Sequence, residues 1–458
     1  MTQRRRRDNQ VARTSALLLV GNLALGVFGF ASGLLANNLL EPAGRGELAS
    51  IQTVPQLISL LAILGLPEAV IYFAASENDK TPSLLGTALV LTLIGAAVGC
   101  ALGLVVLPPM LHRYDSSVLH GALVYLLVIP LMAIVTLAYQ PLRAVGAYGW
   151  WVAFRISLSA GWVGVLLLAW ATHMARPVPV AMMHLVLLAV LGVAALIVVR
   201  VVIGARPSVR RSLAPSMLRY GVPTALTNLP QTLNLRLDQL VMTAVLPPRE
   251  LGLYAASVGW SWMVAPPLHT IAQVVFPHIA ALPHDERGAP AAESSRLAVS
   301  AAIVVVVLAL LVTPFLLPLL LPKYRSAIFV AELLLVAGTI SGFNLVLEEV
   351  LRGFGRPRDI LVAEIGGLVV TGGSLAALLG RYGITGAAWS SIAGYSTLLV
   401  LLVRLVSRRG GVAPRDLLVP RRSDLAGARL RFVELRKRRR GGAELASAGD
   451  GVTEGNGY

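Results

Sequence analysis

Charge and cysteine are both scarce in this sequence. Of its 458 residues, 14% are charged and 56% are hydrophobic, whereas about a quarter of the residues of a typical soluble domain are charged. The single cysteine, Cys100, lies inside an apolar run. An internal disulfide and any redox or zinc site that needs paired cysteines are therefore excluded.

Motifs for catalysis are missing as well. The seven histidines show no HExxH or other metal-ligand spacing. No GxxxxGK[ST] phosphate loop is present, and lysine occurs only as Lys80, Lys323 and Lys437, so we do not expect ATP hydrolysis. The predicted outer loops are too short for the catalytic loop of a membrane glycosyltransferase. We expect no catalytic residues, no metal and no cofactor.

Long apolar runs recur from one end of the chain to the other. Each has about 18 residues or more, enough to cross a hydrocarbon core of ~30 Å as a helix. The pattern predicts an all-α polytopic membrane protein with about twelve transmembrane helices. Their approximate positions are 15–40, 47–75, 83–107, 118–139, 147–172, 179–204, 217–246, 250–280, 296–321, 327–347, 358–380 and 383–406.

The net charge of +16 is unevenly distributed. The stretch "MTQRRRRDNQVAR" opens the chain, and "RLRFVELRKRRR" lies near its end. Between these ends, Lys and Arg concentrate on loops that the twelve-span pattern assigns to one side. Because positive residues stay in the cytoplasm, both termini are predicted to be cytoplasmic and to attract anionic membrane lipids. We do not expect nucleic-acid binding.

The sequence also contains a duplication. "LLEPAGRGELA" (39–49) matches "VLPPRELGLYA" (245–255), "LHRYDSSVL" (111–119) matches "LPKYRSAIF" (321–329), and "LRAVGAY" (142–148) matches "LRGFGRP" (351–357). Six spans per copy give both copies the same orientation, so two parallel six-helix lobes around a central cavity are expected, as in transporters. A duplicated channel or scaffold is the alternative.

These patterns predict five regions along the chain. They are a basic cytoplasmic N-terminus (1–14), an N-lobe (15–205), a cytoplasmic linker (206–216), a C-lobe (217–407), and a basic tail (408–458) whose last part is predicted to be disordered.

The seventh span carries charges deep in the membrane. In "TLNLRLDQLVMTAVLP" (232–247), Arg236 lies 17 residues beyond Arg219, about 25 Å along a continuous helix. Such a charge costs at least ~2.5 kcal/mol unless it faces water or a partner. On that helix Arg236 and Asp238 point to opposite sides. A polar stripe of Asn228, Gln231 and Gln239 predicts a cavity-facing side that binds substrate, and Asp238, which lies near it, is expected to act in coupling or gating. Arg236 either contacts substrate or forms an interhelical ion pair.

Arg155 is a second deep cation, in the fifth span. The repeat aligns it with Glu364, so equivalent positions carry opposite charges. In one interpretation Arg155 binds an anionic substrate, since guanidinium groups bind diphosphates through paired hydrogen bonds. Glu364 then acts in coupling or gating. The other is a direct salt bridge between them. Glu68, after Pro67, either faces the cavity in coupling or gating or caps a helix after a break.

With these segments placed, the sequence resembles a known group. The residues that carry the resemblance are "LLEPAGRGELASIQTVPQLISLLAILGLPEAVIYFAAS", "RYGVPTALTNLPQTLNLRLDQLVMTAVLPPRELGLYAAS", "VVFPHIA" and "LRGFGRPRD". It is similar to Wzx-type polysaccharide/oligosaccharide flippases of the multidrug/oligosaccharidyl-lipid/polysaccharide exporter superfamily.

The resemblance implies a bacterial plasma-membrane protein. It would move undecaprenyl-diphosphate-linked oligosaccharides from the inner to the outer leaflet by alternating access, for cell-surface polysaccharide. A proton or sodium gradient is the expected coupling, a polysaccharide polymerase and glycosyltransferases are the expected protein partners, and a monomer is the expected functional unit. Two alternatives stay open: a cation-coupled exporter of drugs or small molecules in the same superfamily, and a non-transporting membrane partner of a polysaccharide synthase complex.

Overall fold

The computed structural model describes residues 2–76, 81–204 and 206–421, with side chains from residue 17 onward except those of 19, 75 and 76. Within these ranges the chain is helical and contains no strand. The helices are α1 (Thr2–Ala62), α2 (Leu66–Ser76), α3 (Thr81–Met110), α4 (Ser116–Tyr125), α5 (Val128–Ala144), α6 (Tyr148–Ala171), α7 (Pro177–Ile203), α8 (Ala214–Asn234), α9 (Leu237–Val245), α10 (Pro248–Ser261), α11 (Ala265–Ala280), α12 (Gly288–Leu320), α13 (Ile328–Gly353), α14 (Pro357–Gly410) and α15 (Pro414–Leu418).

The expectation of about twelve membrane passes is confirmed. Eight stretches of the described residues are long and apolar enough to cross a membrane, but Val20–Ala74 and Pro357–Gly410 contain 55 and 54 residues. At 1.5 Å per residue each would measure about 80 Å, more than twice a hydrocarbon core. The two passes within each stretch are separated at a non-helical residue, Glu41 (φ 59°) or Gly383 (φ 55°), and the first stretch is interrupted again between α1 and α2 at residues 63–65. Two more passes are interrupted helices, α8 with α9 and α10 with α11, which brings the described passes to twelve.

Contacts between loops group the turns into two ends of the helical bundle. At one end, Lys323 pairs with Glu41, and Arg113 donates a hydrogen bond to the carbonyl of Val245 over 2.8 Å. We call this the Glu41 end; it contains the loops predicted to lie outside. The opposite end, the Asp359 end, contains the pair of Arg409 with Asp359 (2.9 Å) and the predicted inner loops. The assignment of the Asp359 end to the cytoplasm stays a prediction.

Each half of the chain builds its own hydrophobic cores. Two clusters of buried residues come almost wholly from the first 220 residues, around Tyr125 and around Leu137. Two others come from residues beyond 250, around Leu347 and around Tyr324. This arrangement is that of two lobes, which we call the N-lobe and the C-lobe.

The predicted linker and the first part of the predicted tail are among the described residues. The predicted linker continues from a short 3₁₀ turn (Arg211–Leu213) into α8, and the Ser208 amide donates to the Pro82 carbonyl over 3.1 Å. The predicted tail begins within α14, and α15 packs on α12, where Ser295 donates to the Leu417 carbonyl (2.8 Å). The part predicted to be disordered lies outside the described residues, as do residues 422–440.

The lobes meet at a close crossing of α1 and α10 at the Glu41 end. A methyl group on Gly46 would overlap the carbonyl oxygen of Pro248, and one on Gly252 would overlap that of Pro42. The repeat offset of 206 relates Pro42 to Pro248 and Gly46 to Gly252. The two copies of the repeat therefore contact each other symmetrically, backbone against backbone, which only glycine allows at this distance.

We predict that Gly46→Ala and Gly252→Ala each destabilise the closed Glu41 end. The added methyl group forces the two backbones apart, and overpacking of this kind costs about 1–3 kcal/mol. Thermal unfolding of the purified protein in detergent measures the effect as a lower unfolding temperature. Gly164→Ala is the control, because a methyl group there meets nothing within 4 Å. Equal unfolding temperatures for all three variants would contradict the close contact.

Candidate functional site

The seventh span is not the continuous helix that the sequence predicts. α8 ends at Asn234, α9 begins at Leu237, and Arg236 between them has φ −131° and ψ −10°. The interruption leaves carbonyl groups of α8 without helical partners. One of them, the carbonyl of Asn234, accepts a hydrogen bond from the Tyr395 hydroxyl over 3.4 Å. The Asp238 carboxylate accepts a hydrogen bond from the backbone N–H of Gln239 over 2.6 Å, in the first turn of α9. The break is thus stabilised from both sides.

This break directs Arg236 and Asp238 into two different cavities. Arg236 lies on the wall of a cavity between the lobes, and Asp238 lines a cavity within the C-lobe. The two side chains form no ion pair with each other, as the sequence had predicted, although the helix geometry behind that prediction was wrong. The interhelical ion pair considered for Arg236 is also absent from the described residues.

We call the cavity between the lobes the basic cavity. It measures about 230 Å³, and its charged lining residues are Arg45 from the N-lobe and Arg236 from the break. Arg236 donates to Gln239 Oε1 (3.3 Å), and Arg45 donates to Asn37 Oδ1 (3.2 Å). The other residues that line the basic cavity are Gly29, Ser32, Gly33, Ala36, Gln52, Trp162, Gln239, Ala255, Val258, Gly259 and Trp262. Two guanidinium groups without carboxylate partners in the described structure thus face one space.

A polar network in the N-lobe stands behind the Trp162 wall. The His184 ring packs edge-on against Trp162 at a centroid distance of 4.7 Å, and His184 Nδ1 lies 2.6 Å from the hydroxyl of Tyr125. Gln52 and Gln56 each donate to the same hydroxyl over 3.4 Å. The network holds Trp162 and Gln52 in fixed orientations at the cavity wall.

The second cavity, the acidic cavity, lies inside the C-lobe and measures about 160 Å³. Its acidic lining residues are Asp238, Glu348 and Glu364, which are 6%, 2% and 3% exposed. Amides, hydroxyls and one histidine complete the polar lining, contributed by Gln231, Asn234, Ser261, His269, Ser341, Asn344, Ser391 and Tyr395. Carboxyl groups buried to this degree require partners.

Each carboxyl group has such partners. Asp238 accepts from the hydroxyl of Tyr254. Glu348 accepts from the Gln231 amide over 3.1 Å, and Glu364 accepts from the Asn234 amide over 3.4 Å. Glu348 and Glu364 line the same cavity and interact electrostatically.

The acidic cavity has one unsatisfied group, the side-chain oxygen of Asn344. It is buried and has no hydrogen-bond partner, while the Asn344 amide nitrogen donates to the Tyr395 carbonyl over 3.0 Å. The oxygen is therefore free to accept a bond from a small occupant of the cavity. No group of three or more metal-ligating His, Cys, Asp or Glu side chains occurs among the described residues.

The salt bridge considered between Arg155 and Glu364 does not form. Arg155 donates to Asn22 Oδ1 over 3.3 Å and stacks on the Trp151 ring, with its guanidinium carbon 4.6 Å from the ring centroid. Glu364 instead accepts a hydrogen bond from the side-chain amide of Asn234. Positions that are equivalent by the repeat therefore have different neighbours, because each is packed within its own lobe.

The other predicted site residues are divided between locations. Gln231 lines the acidic cavity and Gln239 the basic one, so the predicted stripe is split by the helix break. Asn228 and Glu68 are exposed and line neither cavity. The role of any of these residues in binding or coupling stays a prediction.

Sequence analysis did not select Arg45, Trp162 or Glu348 for the site. Arg45 falls at a predicted outer loop, and Glu348 lies one helical turn before Arg352, just past the predicted span 327–347. The structure does show Arg352 3.7 Å from Glu348, but Glu348 is buried. A signal was present: Ser341, Asn344 and Glu348 follow one another at helical spacing on α13, and all three line the acidic cavity.

Comparison with known proteins adds the family. The sequence model of the family described as "Polysaccharide biosynthesis protein" matches residues 35–324. No curated protein sequence matches the chain.

Two solved structures show the same fold. A structure described as "Lipid II flippase MurJ, inward closed conformation" superposes with a TM-score of 0.70 at 11% identity, covering 88% of this chain and 89% of the other. An inward-facing multidrug resistance MATE family transporter of the MOP superfamily superposes with a TM-score of 0.66 at 16% identity, covering 85% of this chain and 94% of the other. The family match covers more than half of the residues. The chain therefore belongs to the polysaccharide biosynthesis protein family, as a multi-pass membrane protein with the fold of the MOP-superfamily transporters and flippases.

Proposed function

We propose that this protein flips a lipid-linked oligosaccharide across the plasma membrane by alternating access, and that the lipid carries the sugar through a diphosphate. The observation that carries the proposal is the basic cavity. Two guanidinium groups without carboxylate partners in a space between two lobes favour an anionic ligand, because a cleft lined by charges of one sign attracts and concentrates ligands of the opposite sign. Each arginine offers paired donors that match phosphate oxygens.

The origin of the two arginines suggests how binding couples to movement. Arg45 belongs to the N-lobe, and Arg236 lies at the break that opens the C-lobe. An anion held by both residues bridges the lobes and stabilises the state in which they are close together. A ligand shifts a conformational equilibrium only through such state-dependent contacts. Trp162 and Trp262 provide aromatic walls for the less charged part of the substrate.

The acidic cavity supports coupling to an ion gradient. The carboxyl groups of Glu348 and Glu364 line one small cavity, and the unsatisfied side-chain oxygen of Asn344 lines it with them. The cavity is also connected to the substrate site, because Val258 and Trp262 line both cavities. We therefore assign proton or sodium coupling to the acidic cavity and substrate binding to the basic one.

Export of a cationic drug is the second candidate, and the acidic lining of the C-lobe cavity favours it. In that case the cation would occupy the acidic cavity. Its carboxyl groups already bond to Gln231, Asn234 and Tyr254. The basic cavity would then have no role, so the flippase is the better proposal.

Arg45→Gln and Arg236→Gln are predicted to weaken the binding of undecaprenyl diphosphate. Removing a charge-assisted hydrogen bond costs about 1.5–3 kcal/mol, which corresponds to a roughly 10- to 150-fold higher Kd. Binding would be measured with purified protein in nanodiscs of neutral lipid. Arg249→Gln is the control, since Arg249 is an exposed arginine at the same end and lines neither cavity. An unchanged Kd in both cavity variants would contradict the proposal.

Glu348→Gln and Glu364→Gln are predicted to uncouple transport from the ion gradient. Glutamine keeps the shape of the side chain but cannot exchange a proton or balance a cation. Transport into proteoliposomes would be compared with and without an imposed proton or sodium gradient, and we expect stimulation by the gradient to be lost. Glu349→Gln is the matched control, because Glu349 pairs with Arg352 outside the cavity lining. If the gradient stimulated both cavity variants as much as wild type, the assignment of ion coupling to the acidic cavity would be contradicted.

A further inference from the structure

A second pair of arginines lies in the N-lobe, away from both cavities. The guanidinium carbons of Arg143 and Arg155 lie 5.5 and 4.6 Å from the centroid of the Trp151 ring. The ring is fixed by the bond from Trp151 Nε1 to Gln140 Oε1 (3.0 Å). Arg155 is fixed by its bond to Asn22 (3.3 Å). We call these residues the arginine–tryptophan cluster.

The cluster carries two positive charges that are not neutralised. Neither arginine forms an ion pair in the described part of the chain. Glu68 and Arg155 both act electrostatically on Tyr139, yet the Glu68 carboxylate is exposed and bonds to neither guanidinium. Stacking on a ring contributes about 0.5–1 kcal/mol at an exposed site but leaves the charge in place. Two cations that share one tryptophan repel each other until an anion joins them.

The position of the cluster relates it to the basic cavity. On α6, Arg155 precedes the cavity residue Trp162 by seven residues, and on α1 its partner Asn22 precedes the cavity residue Gly29 by seven. Seven residues are two helical turns, so both pairs share a helix face and are separated by about 10 Å along the axis. The cluster therefore continues the N-lobe wall of the cavity toward the Asp359 end.

The other side of the cluster reaches the membrane surface. Arg143 lies in the last turn of α5, and the turn to α6 contains Gly146 with φ 80°. Leu142, Ala144 and Ala147 from this turn pack in one cluster with Leu213 and Met217 at the base of α8, which places the turn at the Asp359 end. Arg143, Arg155 and the basic cavity thus form a series of cationic positions that leads from this end into the protein.

We infer that the arginine–tryptophan cluster is a loading site that binds the diphosphate of a lipid-linked substrate before it reaches Arg45 and Arg236. The inference rests on the proposed function and adds a second binding position to it. The shared ligand chemistry is a phosphate group on a membrane lipid. It could come from a polyprenyl diphosphate or from an ordinary anionic phospholipid, and we assign it to the diphosphate, which has enough oxygens for both guanidinium groups.

Binding stoichiometry tests the loading site and the proposed function separately. Purified protein in phosphatidylcholine nanodiscs would be titrated with radiolabelled undecaprenyl diphosphate. We expect two sites in wild type, one in R143Q/R155Q, one in R45Q/R236Q, and none in the variant with all four changes. Two sites retained in R143Q/R155Q would overturn the loading site. Two sites retained in R45Q/R236Q would overturn the central site of the proposed function while leaving the loading site standing.

A second arm distinguishes the two lipid sources. Phosphatidylglycerol at tenfold excess over undecaprenyl diphosphate should leave binding at the cluster of R45Q/R236Q within twofold of its value. Complete displacement would show a general anionic-lipid site and overturn the assignment to a diphosphate.

Three single variants distinguish loss of binding from misfolding. Trp151→Leu is predicted to weaken binding to the cluster at least tenfold, whereas Trp151→Phe, which keeps a ring under both arginines, should retain most of it. Trp150→Leu changes the exposed neighbouring tryptophan and should have no effect. Equal binding by Trp151→Leu and Trp150→Leu would contradict the geometry.

Discussion

Inside a bilayer every backbone N–H and C=O group needs a partner within the protein, because lipid offers none. The interruption of the seventh span at residues 235–236 is possible only because Tyr395 and Asp238 satisfy groups at the break. The polar side chains that do so line or border the acidic cavity. The break therefore requires a polar C-lobe interior, and that interior in turn places three carboxyl groups in a cavity next to the basic cavity. Transporters commonly use discontinuous helices at the middle of the membrane for ion and substrate sites.

The same break separates charges of opposite sign. Arg236 turns toward the space between the lobes, and Asp238 turns toward the interior of the C-lobe. Val258 and Trp262 line both cavities and form a shared wall between them. At the Glu41 end, the symmetric contact between Gly46 and Gly252 holds the lobes together. That contact provides a fixed point against which the opposite ends can move.

Much of the fold could be predicted from hydropathy and charge. The twelve passes, the positions of the turns and the duplicated halves follow from apolar runs that are long compared with a membrane. The geometry of the site could not be derived in this way. The predicted stripe of Asn228, Gln231 and Gln239 assumed 100° per residue through a segment where the helix stops. Glu348 lies one turn from Arg352 in the sequence, and only packing shows that its carboxyl group is buried. The pairing of Arg155 with Glu364 failed because a repeat fixes equivalent positions and not contacts.

The most direct test of the account is the lipid content of cells depleted of this protein. Lipids would be extracted and analysed by mass, with surface polysaccharide measured in parallel. The account predicts that a diphosphate-linked saccharide accumulates on the cytoplasmic side while surface polysaccharide falls. It also predicts that the R45Q/R236Q variant fails to reverse this when expressed at the wild-type level. Unchanged lipids and unchanged polysaccharide after depletion would contradict the flippase proposal and favour export of a small solute.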